Sequence, residues 1–200
     1  MKNRPLPKGH KRFSEQATKV FSGTRFDVYQ WQQKMFDGSQ KTFEIVKRKD
    51  TVLVLPLLDE KIVMIEECQP HMDSPELTIV GGVVEQDEDI EAAARRELEE
   101  ETGLTFDKFT LVDVSALNPQ IEWFAYTFIA TDLVGEKPKS LDAGEQNKVL
   151  HVAIAEMIRL VRQGTFVHPP RILERLLIQE KAGEIANLFK HPERYAISHS

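Results

Sequence analysis

The chain has 200 residues, enough for one domain, or for one domain with an appendage. Its 41% hydrophobic content supports a packed core, and a net charge of -6 argues against an extended nucleic-acid surface, which would be basic. The single cysteine, Cys68, excludes an internal disulfide and fits a reducing, cytoplasmic compartment.

The first residues, MKNRPLPKGHKRF, are basic but lead into no apolar run. They read as neither a secretory signal nor a membrane span. Residues 1–16 are expected to form a loosely ordered arm. Residues 17–49 read as a β-sheet subdomain. Phe26 and Val28 alternate with polar neighbours there, as do Phe43 and Ile45, and Asp37-Gly38 is a hairpin signal.

Residues 50–200 are expected to form the main domain, closed by C-terminal helices. TVLVLPL at 51–57 reads as a buried strand, Asp59-Glu60 as a turn and 61–66 as the returning strand. A short strand at 77–80 leads into Gly81-Gly82. Residues 88–102 contain Ala92, Ala93, Ala94 and Leu98 among many Glu and Arg, with no Pro or Gly, which predicts a helix stopped by Gly103.

Further strands are predicted at 108–116 and 121–130, a polar loop at 133–147 and a last strand at 148–153. Ile154, Met157, Ile158 and Val161 share one face of a helix ended by Gly164. Pro169-Pro170 opens another helix, striped by Ile172, Leu173, Leu176 and Leu177. This order implies the α/β (α+β) class: an α/β/α sandwich around a mixed β-sheet, with an N-terminal antiparallel sheet appended. There is no internal repeat and no transmembrane run.

The chemistry concentrates on the helix at 88–102. Glu97 and Glu101 stand at i, i+4, and Glu97 and Glu100 at i, i+3, so they share a face. Two such carboxylates about 4 Å apart repel by roughly 4 kcal/mol at an effective dielectric near 20. They also crowd the helix C-terminus, where the dipole disfavours anions. A cation reverses both penalties. Oxygen-only ligands suit Mg²⁺, which bridges to substrate phosphates. Arg96 lies one turn from Glu100, at i, i+4. A solvated, ion-paired helix face is the plainer reading of the same residues.

The segment GVVEQDEDIEAAARRELEEETGL spans Gly82 to Leu104. Its spacing of Gly82, Glu88, Arg96-Glu97-Leu98, Glu100-Glu101 and Gly103-Leu104 resembles the full signature of the Nudix hydrolases. From about residue 17 to 180 the chain is similar to the ADP-ribose pyrophosphatase branch. Three features carry that: the strand set of residues 20–57, Pro119 sixteen residues after Gly103, and the tail GEQNKVLHVAIAEMIRLVRQGTF.

The resemblance implies a metal set of Glu97, Glu100 and Glu101, with the backbone carbonyl of Gly81. It implies Mg²⁺, with Mn²⁺ as the alternative, and hydrolysis of a nucleoside diphosphate sugar such as ADP-ribose. It further implies a homodimer that exchanges the N-terminal sheet, and a loop glutamate, Glu145, that completes the catalytic set. The general base stays open among Glu101, Glu100 and Glu145. The resemblance also implies that Arg96 orients a metal-binding glutamate, and that Gly82, Glu88 and Gly103 are structural members of the motif, Glu88 supporting the start of the helix.

The sequence also departs from that branch. Gln69 stands where an arginine contacts the diphosphate, and a neutral amide makes no charge-assisted fork to phosphate. Thr78 replaces a glutamate, Val80-Gly81-Gly82 replaces Pro-Ala-Gly, and Gln120-Ile121-Glu122 replaces a Gly-rich turn. Tyr29, Trp31 and Phe43 are candidate stackers for a base, weighed against roles in a core or dimer. Pro119 reads either as a specificity mark or as a turn residue. Hydrolysis of ADP-glucose or GDP-mannose, sanitation of damaged triphosphates and a non-catalytic sensor are the alternatives to ADP-ribose hydrolysis.

Overall fold

The computed structural model describes residues 4–10, 13, 16–116, 118, 120–141, 146–166 and 170–197. The N-terminal sheet contains β1 (Thr18–Ser22), β2 (Asp27–Lys34), β3 (Gln40–Lys47) and the two-residue β8 (Ile121–Glu122). Its order is β1-β2-β3-β8. The Asp37-Gly38 hairpin forms, with Gly38 at φ 85°. β8 joins β3 in parallel and so ties this sheet to the main domain. The Lys47 ammonium meets the buried Glu122 carboxylate at 3.1 Å beside this junction.

The main sheet runs β10-β5-β6-β4-β9-β7. Its strands are β4 (Thr51–Leu58), β5 (Lys61–Cys68), β6 (Glu76–Val83), β7 (Leu104–Ala116), β9 (Phe124–Glu136) and β10 (Gln146–Ala153). β4 and β9 pair in parallel and the other neighbours are antiparallel, so the sheet is mixed. Asp59 and Glu60 have φ of 49° and 60°, the left-handed pair that a two-residue hairpin requires.

Alternation along the strands builds a core on each face. Val52, Val54, Val63 and Ile65 pack with Ile90, Ala93, Ala94 and Leu98 of α1 (Ile90–Thr102). Leu55, Ile62 and Met64 face the other way. They pack with α2 (Ile154–Arg162), α3 (Arg171–Lys181) and α4 (Ile185–Lys190) through Met157, Ile158, Ile172, Leu173, Leu176, Leu188 and Phe189. This is the expected sandwich.

Several boundaries differ from the sequence reading. The central helix begins at Ile90, because Asp89 caps it, and Glu88 lies in the preceding turn. β7 starts at once after Gly103, and β9 runs on to Glu136, so the polar loop is shorter than predicted. α4 and a 3-10 turn at Pro192–Tyr195 were not anticipated.

Within the arm expected to be loose, the described residues 5–7 make contacts with the main domain. Pro7 is buried, and Leu6 packs on the α1 side of the core. The Tyr126 hydroxyl donates to the Pro5 carbonyl at 3.0 Å.

Thr127 in β9 holds a buried hydroxyl with no hydrogen-bond partner among the described residues. A buried, unsatisfied hydroxyl carries its desolvation cost uncompensated. Thr127→Val should therefore stabilise the fold by roughly 1 kcal/mol, seen as a rise of about 2–4 °C in melting temperature. A fall on calorimetry would refute it.

Candidate active site

α1 is pinned at both ends. The Asp89 carboxylate accepts from the N–H groups of Glu91 at 3.0 Å and Ala92 at 3.4 Å. Gly103 stops the helix at φ 75°, and its N–H donates to the Glu99 carbonyl at 2.9 Å. A Cβ on Gly103 would lie 2.2 Å from the Lys137 carbonyl oxygen, so bulk is excluded there as well as strain. Two later residues fasten to the last turn of the helix. The Ser140 N–H donates to the Glu100 carbonyl at 3.0 Å, and the Asn147 amide donates to that of Glu101 at 3.0 Å.

Between these ends, Arg96, Glu97, Glu100 and Glu101 line a cavity of about 450 Å³ together with Gly81, Gly82 and Gln69. Arg96 is its hub. Nε and Nη2 donate to the Glu88 carboxylate at 2.9 and 3.1 Å. Nη1 donates to Glu97 at 2.8 Å and Glu100 at 3.0 Å, and Nη2 also reaches the Val83 carbonyl at 2.9 Å. All five N–H donors of the guanidinium are therefore engaged. Glu88, then Glu97 and Glu100, push Arg96 above the ordinary arginine range against the opposing effect of burial. The Arg96 guanidinium in turn holds the Glu88 carboxyl below its usual value, helped by the Glu85 N–H at 2.9 Å. Glu88 thus braces the helix start through Arg96.

The two glycines place the remaining carboxylates. The Gly81 N–H donates to Glu101 Oε2 at 3.0 Å. A Cβ on Gly81 would lie 2.3 Å from the Val52 carbonyl oxygen in the neighbouring strand. A Cβ on Gly82 would lie 2.3 Å from the Glu97 carboxylate carbon. Glu97 therefore occupies the space that a side chain at position 82 would fill.

Arg25, Arg48 and Lys49 line the same cavity from the N-terminal sheet and the linker into β4. The sequence reading missed them. The signal was the Lys47-Arg48-Lys49 run before a buried strand, read there only as strand and linker. Arg48 lies 3.9 Å from the centre of the Trp123 ring and 5.8 Å from that of Phe26. Burial, and then Arg25 beside it, lower Arg48 from the usual arginine value. Lys49 is paired with Glu85. Gln69 reaches the cavity with its amide on Glu67, so the cations enter from elsewhere than the position it holds.

Trp31 is not in this cavity. It packs against Phe43 with ring centres 5.9 Å apart and lines a separate shallow cleft with Val20 and Thr42. Tyr29 packs against Phe13, with ring centres 4.7 Å apart and ring planes tilted by 45°. Pro119 and Glu145 lie outside the described residues.

Among the described residues, no three acidic, histidine or cysteine side chains converge as a metal cage. Glu97 and Glu100 bond Arg96, and Glu101 bonds Gly81. The donor set nevertheless fits a hard divalent ion. Three carboxylates project from one helix face into one cavity, with no sulfur or imidazole among its lining residues.

A family profile described as NUDIX domain matches residues 47–171, more than half of the chain. The chain belongs to the Nudix family. The ADP-ribose pyrophosphatase of Bacillus subtilis (strain 168) is 33% identical over 145 residues, covering 71% of this chain and 78% of that protein. The ADP compounds hydrolase NudE of Escherichia coli (strain K12) is 24% identical over 151 residues, covering 72% of this chain and 78% of that protein. A crystal structure of an ADP compounds hydrolase superposes with a TM-score of 0.68 at 21% identity, covering 90% of this chain and 99% of that one. The last likeness speaks for the fold. Together with the complete signature, the family profile and the Bacillus subtilis relative identify a Nudix pyrophosphohydrolase similar to the ADP-ribose pyrophosphatase branch, in a family that generally uses divalent metal ions.

Proposed function

We propose that this enzyme hydrolyses the diphosphate of a nucleoside diphosphate sugar in a Mg²⁺-dependent reaction. ADP-ribose, cut to AMP and ribose 5-phosphate, is the first substrate to test, and Mn²⁺ the alternative ion. The observation that supports this best is the make-up of one cavity. Three carboxylates line it from α1, and Arg25, Arg48 and Lys49 line it from the other side of the chain. Such a cavity suits a polyanion that binds through both cations and metal.

Glu97, Glu100 and Glu101 would hold the ion, with the Gly81 carbonyl as a further ligand. When bound, the ion supplies charge neutralisation of the diphosphate and a lowered pKa for the attacking water. Arg96 orients Glu97 and Glu100. Arg48, partly desolvated against Trp123, is placed to contact phosphate oxygens as a fork. The general base is one of Glu101, Glu100 and Glu145.

A homodimer formed through the N-terminal sheet belongs to the same reading. Val20, Phe21 and Phe43 of β1 and β3, with Phe26 just before β2, remain exposed on that sheet, and a second copy would cover them. We place the enzyme in the cytoplasm because its one cysteine needs no oxidising compartment. No helix among the described residues is long and apolar enough to cross a membrane.

The second reading is another nucleoside diphosphate sugar, favoured by the neutral Gln69 in the cavity wall. The test is product analysis with ADP-ribose, ADP-glucose, GDP-mannose and a nucleoside triphosphate, each with Mg²⁺. AMP and ribose 5-phosphate from ADP-ribose would support the first reading. Cleavage of another sugar alone would support the second. Silence across the panel with metal still bound would point to an untested substrate or to a sensor. For the substrate that is cleaved, Arg48→Gln should raise KM about tenfold or more, as loss of a charge-assisted phosphate contact does, with a smaller effect on kcat.

A further inference from the structure

The strap formed by the N-terminal arm ends on the turn that feeds the catalytic helix. Arg4 is the residue that makes this join. Its Nη1 donates to the Asp50 carboxylate at 3.1 Å. Its Nη2 donates to the main-chain carbonyls of Glu85 at 3.2 Å and Glu88 at 3.0 Å. The Arg4 side chain is 17% exposed and that of Asp50 is 5% exposed, so the Asp50 end of the clamp is shielded from water while its Glu85 end is open to it. Asp50 also accepts from the Phe124 N–H at 3.2 Å, and its carbonyl accepts from the Val84 N–H at 2.9 Å. One guanidinium therefore joins the start of β4 to both ends of the Glu85–Glu88 turn.

That turn sets where Glu88 points. Its carboxylate takes two bonds from Arg96, and Arg96 holds Glu97 and Glu100. The chain of contacts runs Arg4, turn, Glu88, Arg96, carboxylates, with no link longer than 3.2 Å. Asp87 inside the turn sits at φ 61°, a left-handed conformation that aspartate adopts more readily than most side chains.

We infer that Arg4 is a positioning residue of the metal site: it fixes the Glu85–Glu88 turn and, through Glu88 and Arg96, the directions of Glu97 and Glu100. The inference rests on the metal-dependent reading above. The arm is then a working part of the catalytic domain, and changes outside the Nudix signature reach the metal through it.

The test is direct Mn²⁺ binding to the full chain, by electron paramagnetic resonance titration without substrate, beside thermal melting. Arg4→Ala should weaken Mn²⁺ binding about five- to tenfold, no more than the lower end of what losing Arg96, the outer partner itself, would cost. Arg4→Lys keeps a cation beside Asp50, so the fold is protected. A single ammonium cannot also hold both carbonyls, and binding should fall by less than in the alanine variant. Leu6→Ala loosens the packing of the arm but spares the Arg4 contacts, and should leave Mn²⁺ affinity within twofold of wild type, well below an outer-partner loss.

Wild-type affinity in both Arg4 variants would overturn the inference and leave the metal reading standing. An equal loss in Leu6→Ala would also overturn it, since docking of the arm in general would then be the cause. A wild-type protein that binds no Mn²⁺ would overturn both.

Discussion

Glu101→Gln should lower turnover roughly a hundred- to a thousandfold, the size of loss seen when one pre-organised charge-stabilising group is removed, while the fold stays intact. Glu101 is buried and accepts the Gly81 N–H, and a glutamine oxygen accepts the same bond. The substitution therefore removes a charge while keeping the bond to Gly81. The comparison to make is kcat at saturating Mg²⁺ beside the melting temperature. Undiminished turnover would remove Glu101 from the metal set. A large fall in melting temperature would mean that its carboxylate serves the fold first.

The second large effect comes from the adjacent glycines, which should fail in different ways. Gly81→Ala drives a methyl to 2.3 Å from the Val52 carbonyl oxygen, and neither β4 nor β6 has room to retreat in mid-sheet. We expect a loss of about 3 kcal/mol, or a fall of roughly 6–12 °C in melting temperature. Gly82→Ala instead meets the end of a flexible side chain, the Glu97 carboxylate at 2.3 Å. That carboxylate can rotate away, so stability should change little and activity should collapse. Chemical denaturation and a kinetic assay on the two variants decide the matter. Equal destabilisation would contradict the assignment of Gly82 as the space that Glu97 occupies.

The parts of this enzyme that were legible in the sequence are those whose physics is local. Helix α1 was visible because its alanines, Leu98 and Gly103 follow helix propensity and capping rules within fifteen residues. The pairing of Glu97, Glu100 and Glu101 on one face followed from the helical period alone. The hairpins at Asp37-Gly38 and Asp59-Glu60 were legible because their turns demand positive φ.

What escaped was decided at a distance. Arg4 meets partners 46 and 84 positions away, and no pattern near residue 4 announces them. Arg25 and Arg48 share a cavity with the glutamates of α1 only through tertiary folding, because they stand far from that helix in sequence. The start of β7 was hidden because Gly103 both stops the helix and begins the next strand without a linker. α4 was missed because six residues carry too little periodicity and no side-chain cap.

The two cores have a consequence for how such a protein can diversify. The six-stranded sheet acts as a partition: the helix with the glutamates lies on one side, and α2, α3 and α4 lie on the other. The far side can be rebuilt by insertion, by fusion or by exchange of whole helices, provided that it still covers Leu55, Ile62 and Met64. A change in that outer layer then reaches the glutamates only through the sheet that separates the two cores.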